Sequence, residues 1–269
     1  EVVARGPLFA RLRVTRRLNQ SALWQEITLR RGSRRIDFDT EIDWQERHKL
    51  LKVAFPLDIH TDEAIHEIQF GYYRRPNHRS RPFDADRFEV VNHRWTALAE
   101  THRGAAVLND CKYGVSTLGD TIALTLLKAP LAPDMSADRG RQLVTYALYL
   151  WNGGLGDSDV VREGYDLNVP IMTVSGGAGE RTLFSVDAPN VIVETVKPAE
   201  DGSGDIIVRL YEAMRAATRC TLRTTLPVTS ARLTDMLERG DTSLAVRDGA
   251  IALDFRAFEV KTVRLTPGV

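Results

Sequence analysis

Apolar and polar residues alternate with a period of two along much of the chain. The segment 34–44, RRIDFDTEIDW, places isoleucine, phenylalanine and tryptophan on one face and acidic residues on the other, which is typical of a half-buried β-strand. Similar runs predict strands at 9–17, 22–30, 50–55, 65–72, 87–95, 105–108, 121–127 and 143–151. No long helical period separates them, so the pattern predicts an all-β fold of antiparallel sheets packed face to face.

The pattern is interrupted at 174–182, VSGGAGERT, where glycines replace the alternation. Strands are predicted again at 183–186, 191–197, 205–212, 218–226, 250–255 and 260–265. A glycine-rich break between two sets of strands is typical of a linker. We therefore predict one domain at 1–175 and a smaller β-sandwich domain at 183–269.

The composition bears on which classes of molecule the chain is expected to bind. The 36 basic and 36 acidic residues cancel, so no overall field would attract nucleic acid or an anionic membrane. No apolar stretch approaches the roughly 20 residues of a membrane-spanning helix. We expect neither nucleic acid nor membrane as a partner.

The cysteines bear on the redox compartment of the protein, and the first residue bears on whether the chain is part of a longer protein. Cys111 and Cys220 are far apart in sequence, which indicates neither a disulfide framework nor a thiolate metal site and fits a reducing compartment. The chain begins at Glu1 rather than Met, in sequence that already alternates like a strand. We expect it to be part of a longer protein.

Four acidic residues share one face of the predicted strand 34–44: Asp37, Asp39, Glu41 and Asp43. Alternate residues of a strand lie about 7 Å apart, whereas a retaining glycosidase pair needs carboxyl groups about 5–5.5 Å apart, one with a raised pKa. The predicted strand 9–17, taken as the neighbour, carries arginines on its polar face: Arg11, Arg13 and Arg17. We therefore expect cross-strand ion pairs and assign no catalytic residue.

The histidines are dispersed through the first half of the chain. They are His48, His60, His66, His78, His93 and His102, and none forms an HxH or HxxxH pair. A zinc site built from neighbouring residues is therefore not expected, and we predict no metal ligand and no cofactor for this chain.

Two polar segments leave alternatives open. The long loop 74–86, RRPNHRSRPFDAD, is either a solvated loop held by Arg–Asp pairs or a pocket wall that offers donors to sugar hydroxyls. The segment 109–114, NDCKYG, is either a turn or a surface that contacts a sugar or another domain.

If NDCKYG is a turn, its side chains should make specific contacts. Asn109 and Asp110 would close the turn by hydrogen bonds to the backbone, and Gly114 would permit the backbone to turn. Lys112 would pair with Asp110 or another nearby carboxylate, and Cys111 would be a small buried thiol. The candidates for sugar or interface contact, taken from both segments, are Tyr72, Tyr73, His78, Arg79, Asn109, Asp110, Lys112 and Tyr113.

Three long blocks resemble a known family in order and spacing: QFGYYRRPNHRSRPFDADRFEVVNHRWTALAE at 69–100, AVLNDCKYG at 106–114 and LTLLKAPLAPDMSADRGRQLVTYAL at 124–148. They resemble the C-terminal β region of the family 38 glycoside hydrolases, the retaining zinc-dependent α-mannosidases, and most of all the cytosolic and bacterial branch. The resemblance covers nearly the whole chain.

The resemblance implies a galactose-mutarotase-like β supersandwich followed by a small β-sandwich. It also implies that the catalytic carboxylates and the His and Asp ligands of zinc lie upstream in a catalytic domain, since their motifs have no counterpart here. The implied partners are an α-mannoside oligosaccharide substrate and the protein's own N-terminal catalytic domain, and the implied location is cytoplasmic. The full-length protein would be an α-mannosidase, and this chain alone would be inactive.

A stand-alone carbohydrate-binding or aldose-mutarotase-like domain is the alternative. A mutarotase needs a histidine and a glutamate that face each other across a cleft. The nearest pair is Glu89 and His93, which would lie about 13 Å apart on one predicted strand, too far to share an anomeric centre. We therefore favour the α-mannosidase hypothesis.

Overall fold

The chain is built almost entirely of β-strands, as a computed structural model of residues 1–176 and 179–268 describes it. The predicted all-β fold class is confirmed. Two compact units are distinguished: residues 1–69 with 73–171, and residues 70–72 with the chain from Met172 onward. The domain bounds 1–175 and 183–269 stay a prediction, and Gly177 and Ala178 of the predicted linker lie outside the described residues.

The first unit is built on a large and a small antiparallel sheet. The order of the nine-stranded sheet is β1 (Val2–Arg5), β2 (Phe9–Leu18), β3 (Ser21–Arg30), β4 (Arg35–Trp44), β13 (Gly140–Asn152), β10 (Arg103–Asn109), β9 (Trp95–Ala99), β6 (Glu63–Ile68) and β7 (Gly71–Pro76). The order of the four-stranded sheet is β5 (Leu51–Pro56), β12 (Thr121–Leu127), β11 (Gly114–Leu118) and β8 (Val90–Val91).

The core of the first unit contains apolar side chains from both sheets. Ile42, Leu98 and Val107 come from the large sheet, and Ile122 and Leu124 from the small one, and all five are almost completely buried. Full burial of such a side chain contributes about 1.5–3 kcal/mol. The alternation along β4 and β12 thus fixes which face of each sheet turns inward.

A helix that the periodicity did not predict packs on the large sheet. Helix α1 (Val160–Asn168) contacts β9, β10 and β13, and its residues Val160 and Val161 are buried. Its nine residues offer only about two turns of apolar periodicity. Within the described part of the chain, no helix is long or apolar enough to cross a membrane.

Two predicted strands are interrupted. The strand predicted at 65–72 is two strands, β6 and β7, separated at Phe70, whose φ of 60° is in the left-handed region. The strand predicted at 87–95 contains only β8 and the first residue of β9. Between them the backbone N–H of Arg94 donates to the buried carboxylate of Glu67 at 2.6 Å, which holds the chain in a corner.

The loop predicted at 74–86 is shorter than expected, because β7 extends to Pro76 and a 3₁₀ turn covers Pro82–Arg87. Inside the loop, Asp84 accepts hydrogen bonds from the backbone and guanidinium of Arg81. The expected Arg–Asp pairing is therefore present within it. A second 3₁₀ turn lies at Leu155–Asp157.

The acidic strand β4 makes ion pairs with partners other than those predicted. Strand β3 lies between β2 and β4, so Arg11 and Arg13 pair instead with Glu26 of β3. On β4, Asp37 pairs with the guanidinium of Arg35 at 2.7 Å. Glu41 likewise pairs with Arg141 of β13 at 2.6 Å. Cross-strand pairing is therefore present, but the expected neighbour was wrong.

The second unit is a small β-sandwich, as predicted. Its three-stranded sheet contains β14 (Phe184–Val186), β17 (Thr218–Thr224) and β20 (Ala250–Phe255). Its five-stranded sheet contains β15 (Val191–Pro198), β16 (Ile206–Glu212), β21 (Val260–Pro267), β18 (Val228–Thr234) and β19 (Thr242–Leu244). Val208, Leu222 and Ile251 are among the residues of its core.

Gly104 tests the packing of the first unit. A Cβ atom at this position would lie 2.0 Å from the ring of the buried Trp151, so Gly104→Ala should lower the free energy of unfolding by about 1–3 kcal/mol. The control is Gly156→Ala, where a Cβ would meet no atom within 4 Å. Urea unfolding followed by tryptophan fluorescence measures both, and equal midpoints would contradict the packing described.

Candidate functional site

The segment NDCKYG forms the connection between β10 and β11, and Asn109 closes it. The Asn109 side chain is fully buried, and its Oδ1 accepts a hydrogen bond from the backbone N–H of Lys112 at 2.7 Å. Its Nδ2 donates to Asn92 Oδ1 at 3.1 Å and to the carbonyl of His93 at 2.9 Å. One amide therefore shapes the turn and ties it to the corner before β9.

Asp110 fastens the turn to strand β13. Its backbone N–H donates to the carbonyl of Thr145 at 3.1 Å, and its Oδ2 accepts from the N–H of Thr145 at 3.0 Å. Its Oδ1 is buried and has no hydrogen-bond partner among the described residues. Asn109 therefore closes the turn as expected, whereas the Asp110 side chain accepts its backbone hydrogen bond from strand β13 and not from the turn, so the expectation for Asp110 was wrong.

Cys111 and Lys112 differ from what the sequence suggested. Cys111 is exposed rather than buried. Partial burial of the thiol and its hydrogen bond with Asp110 nevertheless raise its pKa to about 11. The ammonium of Lys112 makes no ion pair with a carboxylate in the described part of the chain. The expected pairing of Lys112 was therefore wrong.

Glycine is required at position 114 because a side chain lies close to its backbone, and not because of the turn. Its φ is not in the left-handed region, and it is the first residue of β11. A Cβ at this position would lie 2.7 Å from Oε1 of Glu89. The same Oε1 accepts a hydrogen bond from the hydroxyl of Thr125 and lies 3.7 Å from Nζ of Lys52. Glycine thus lets the Glu89 carboxylate lie against the backbone of β11.

Beside Gly114, an open cleft of about 1030 Å³ lies on the first unit. The pairing of β8 with β11 places residues 88–91 beside the end of NDCKYG, although they are distant in sequence. The residues that line the cleft are His48, Leu50, Phe88, Glu89, Val90, Val91, Tyr113, Gly114, Thr125, Lys128, Pro130, Leu131 and Ala132.

The cleft has mainly apolar walls and a few polar groups. Phe88, Leu131 and the ring of Tyr113 are exposed in it, and the Tyr113 ring leans against that of His93 with centroids 5.5 Å apart. Glu89 supplies the one carboxylate among the lining residues, and Lys128 supplies an ammonium. A retaining glycosidase requires two carboxyl groups, so this arrangement is suited to binding rather than to cleavage.

Of the eight candidates predicted from sequence, Tyr113 lines the cleft, and the other seven are not among its lining residues. Tyr73 is exposed with the guanidinium of Arg75 over its ring, and Arg79 is exposed in the loop. His78 is partly exposed, with its Nδ1 3.9 Å from Asp84. Tyr72 is buried, and its ring meets that of Phe258 edge-on.

Several lining residues were not predicted from the sequence, among them Phe88, Lys128 and Leu131. A signal was available, because RFEVV and KAPLAP place large apolar residues beside charges and prolines. The cleft itself depends on the pairing of strands that are far apart in sequence, and periodicity does not predict which strands pair.

The described residues give no basis for a metal site. No group of three or more His, Cys, Asp or Glu side chains in them is arranged to hold a metal ion. The zinc implied by the resemblance therefore does not fit the residues of this chain that the structure describes.

Two family models match the chain. The model "Glycosyl hydrolases family 38 C-terminal domain" matches residues 1–136, and "Glycosyl hydrolases family 38 C-terminal beta sandwich domain" matches residues 190–263. The resemblance to family 38 is thereby confirmed, and the cleft residues lie within the first match.

Curated relatives and solved structures are similar to the chain over most of its length. Human Alpha-mannosidase 2C1 is 43% identical over 253 residues, 91% of this chain and 24% of the relative. Alpha-mannosidase G of Dictyostelium discoideum is 38% identical over 250 residues, 89% of this chain and 23% of the relative. The chain thus spans about a quarter of the length of these relatives. The crystal structure of an α-mannosidase from Enterococcus faecalis V583 has the same fold, with a TM-score of 0.83 and 18% identity over 99% of this chain and 34% of that one.

Asn109 tests the structural role of the turn. Asn109→Ala would remove three hydrogen bonds and leave buried backbone groups without partners, so it should lower the free energy of unfolding by about 2–4 kcal/mol. Asn152→Ala removes an exposed asparagine from β13 and is the control. Chemical denaturation measures both, and a loss at Asn109 no larger than at Asn152 would refute the role.

The reactivity of Cys111 tests its surroundings. A thiol whose pKa is about 11 is almost entirely protonated at neutral pH, and alkylation requires the thiolate. The rate of Cys111 alkylation by iodoacetamide, followed on its peptide by mass spectrometry, should therefore keep rising between about pH 7 and 9.5, whereas the rate for a free cysteine with a pKa of about 8.5 levels off. A rate that levels off below about pH 9 would contradict the raised pKa.

Proposed function

The chain belongs to glycoside hydrolase family 38, and we propose that it is the C-terminal β region of an α-mannosidase, in which it shapes the substrate cleft and supports the catalytic domain. The observation that carries the proposal is the open cleft beside NDCKYG, which lies inside the family match and has binding groups but no carboxylate pair. The relatives that match nearly the whole chain are α-mannosidases by name.

We propose that Tyr113 is the residue of this chain that contacts the mannoside. Its half-exposed ring offers an apolar face of the kind on which a pyranose packs, and its hydroxyl can exchange hydrogen bonds with sugar hydroxyls. The hydrogen bonds of Asn109 and Asp110 support this proposal, because they hold the backbone on the N-terminal side of Tyr113 in one conformation. Asn109 and Asp110 are then positioning residues.

The remaining candidates are proposed as contacts with the catalytic domain. Tyr73, His78 and Arg79 are wholly or partly exposed, and aromatic and arginine side chains are enriched at protein interfaces. Lys112 is proposed to join them or to meet the substrate, since its ammonium is not engaged by a described carboxylate. The buried ring of Tyr72 supports a packing role for that residue.

We propose that the reaction itself takes place on residues outside this chain. The catalytic carboxylates and the zinc ligands would belong to the N-terminal domain, in agreement with the poor fit of zinc to the residues described here. The substrate would be an α-mannoside oligosaccharide, and the compartment would be the cytoplasm. Two free cysteines, one exposed and one buried, are compatible with a reducing environment.

A stand-alone carbohydrate-binding role is the second candidate, and the observation that favours it is a cleft with mainly apolar walls and a few polar groups. Titration of the isolated chain with mannobiose, followed by NMR, distinguishes the two functions. Saturable shifts of cleft residues without the catalytic domain would favour the second candidate.

Tyr113 is the test of the first proposal. In the full-length enzyme, Tyr113→Ala should lower kcat/KM for an α-mannoside roughly three- to tenfold, which is the effect of about 1 kcal/mol of ring contact. Bound zinc, measured by elemental analysis, should be unchanged because its ligands lie elsewhere.

The matched control is Phe9→Ala, an exposed aromatic residue of β2 that neither lines the cleft nor is a proposed contact, and its kcat/KM should stay near that of the wild type. Unchanged kinetics in Tyr113→Ala together with a lowered melting temperature would show that NDCKYG has a purely structural role.

A further inference from the structure

A second, much smaller cavity lies between the arginine-rich loop and both sheets of the first unit. It is lined by His66 of β6, Thr117 of β11, and Arg75, Asp84 and Arg87 of the loop region. Its volume of about 10 Å³ is room for roughly one water-sized sphere. The cavity shares the lining residue Val90 with the large cleft, and its volume is suited to one small occupant.

His66 lines the cavity and has a ring nitrogen without a hydrogen-bond partner among the described residues. The residue is completely buried, and its Nδ1 lies 3.1 Å from the hydroxyl of Thr96. Its Nε2 is buried and has no hydrogen-bond partner in the described part of the chain. Burial lowers the pKa of His66 to about 3, so the ring is neutral. When the Thr96 hydroxyl donates to Nδ1, the ring proton is on Nε2, which then is a donor.

Two arginines bring positive charge without a matching carboxylate. Neither Arg75 nor Arg87 is within ion-pair distance of a described carboxylate. Arg75 makes a long hydrogen bond of 3.4 Å to the carbonyl of Val91, and Arg87 lies over the ring of Phe83. Burial, together with the charge of Arg87, lowers the pKa of Arg75. Arg75 is partly buried, whereas Arg87 is exposed, and a partly buried cation such as Arg75 is costly without a counter-charge.

Asp84 does not balance this charge, although it lines the cavity. Both of its carboxylate oxygens accept hydrogen bonds from the guanidinium of Arg81, and one also accepts from the Arg81 backbone N–H. The guanidinium of Arg81 neutralises that carboxylate. The remaining charge beside the cavity is that of Arg75 and Arg87.

We propose that the cavity binds one small monovalent anion of about the size of chloride, held by Nε2–H of His66 and the guanidinium groups of Arg75 and Arg87. A water molecule would occupy the same volume, but it would leave the positive charge of the partly buried Arg75 uncompensated. Because the donors come from β6 and from both ends of the loop, the anion fastens the loop to the sheet.

The test is anion-specific stabilisation. At a constant ionic strength of about 0.1 M, replacing gluconate by bromide should raise the melting temperature of the chain by roughly 2–4 °C, and the rise should saturate with bromide concentration. Arg87→Gln, which removes an exposed cation of the site, should abolish the rise. Arg79→Gln is the matched control, because Arg79 is an exposed arginine of the same loop that does not line the cavity.

A second measurement does not depend on melting. Crystals grown with bromide should show an anomalous scattering peak beside Nε2 of His66, and crystals of Arg87→Gln should lose it. The proposal is overturned if no peak is found there, since the cavity then holds water only. It is also overturned if Arg79→Gln abolishes the bromide effect as fully as Arg87→Gln, because the effect would then be general screening.

Discussion

The hydrogen bonds of Asn109 are the interaction on which the architecture of the candidate site depends. Its side-chain amide joins the NDCKYG turn to the corner at Asn92 and His93. Its backbone carbonyl accepts a hydrogen bond from the side chain of Asn168 at the end of α1. A buried amide costs free energy unless its polar atoms are hydrogen-bonded. Loss of the Asn109 side chain would therefore break its three side-chain hydrogen bonds at once. They fix the start of β11, and with it the place where Tyr113 borders the cleft.

Much of the fold could be predicted from the sequence, because half-buried strands such as β4 show their two faces as alternation. Strands β9 and β10 are buried over nearly their whole length, so alternation is weak there. Helix α1, which packs on them, was not predicted because its nine residues offer only about two turns of apolar periodicity. The neighbour of β4 was also mistaken, because alternation gives the faces of a strand but not its place in the sheet.

Local sequence predicted the site only in part. The chemistry of NDCKYG pointed to Tyr113, which lines the cleft, whereas Phe88 and Leu131 come from segments that reach the cleft through strand pairing. Local sequence also could not predict why position 114 is glycine, because the Glu89 carboxylate that lies against it is 25 positions earlier in the chain. Local turn chemistry can be inferred from residue types, but the neighbours that tertiary structure brings together cannot.

The central claim is that this β region forms one wall of a mannoside-binding cleft in a longer family 38 enzyme. A crystal structure of the full-length protein with a mannose-like inhibitor bound at its reaction centre tests the claim most directly. We expect Tyr113 and the cleft beside it to face that centre, and we expect the inhibitor, or catalytic-domain residues that touch it, to contact the Tyr113 ring. A cleft that opens to bulk solvent on the side away from the inhibitor would contradict the account.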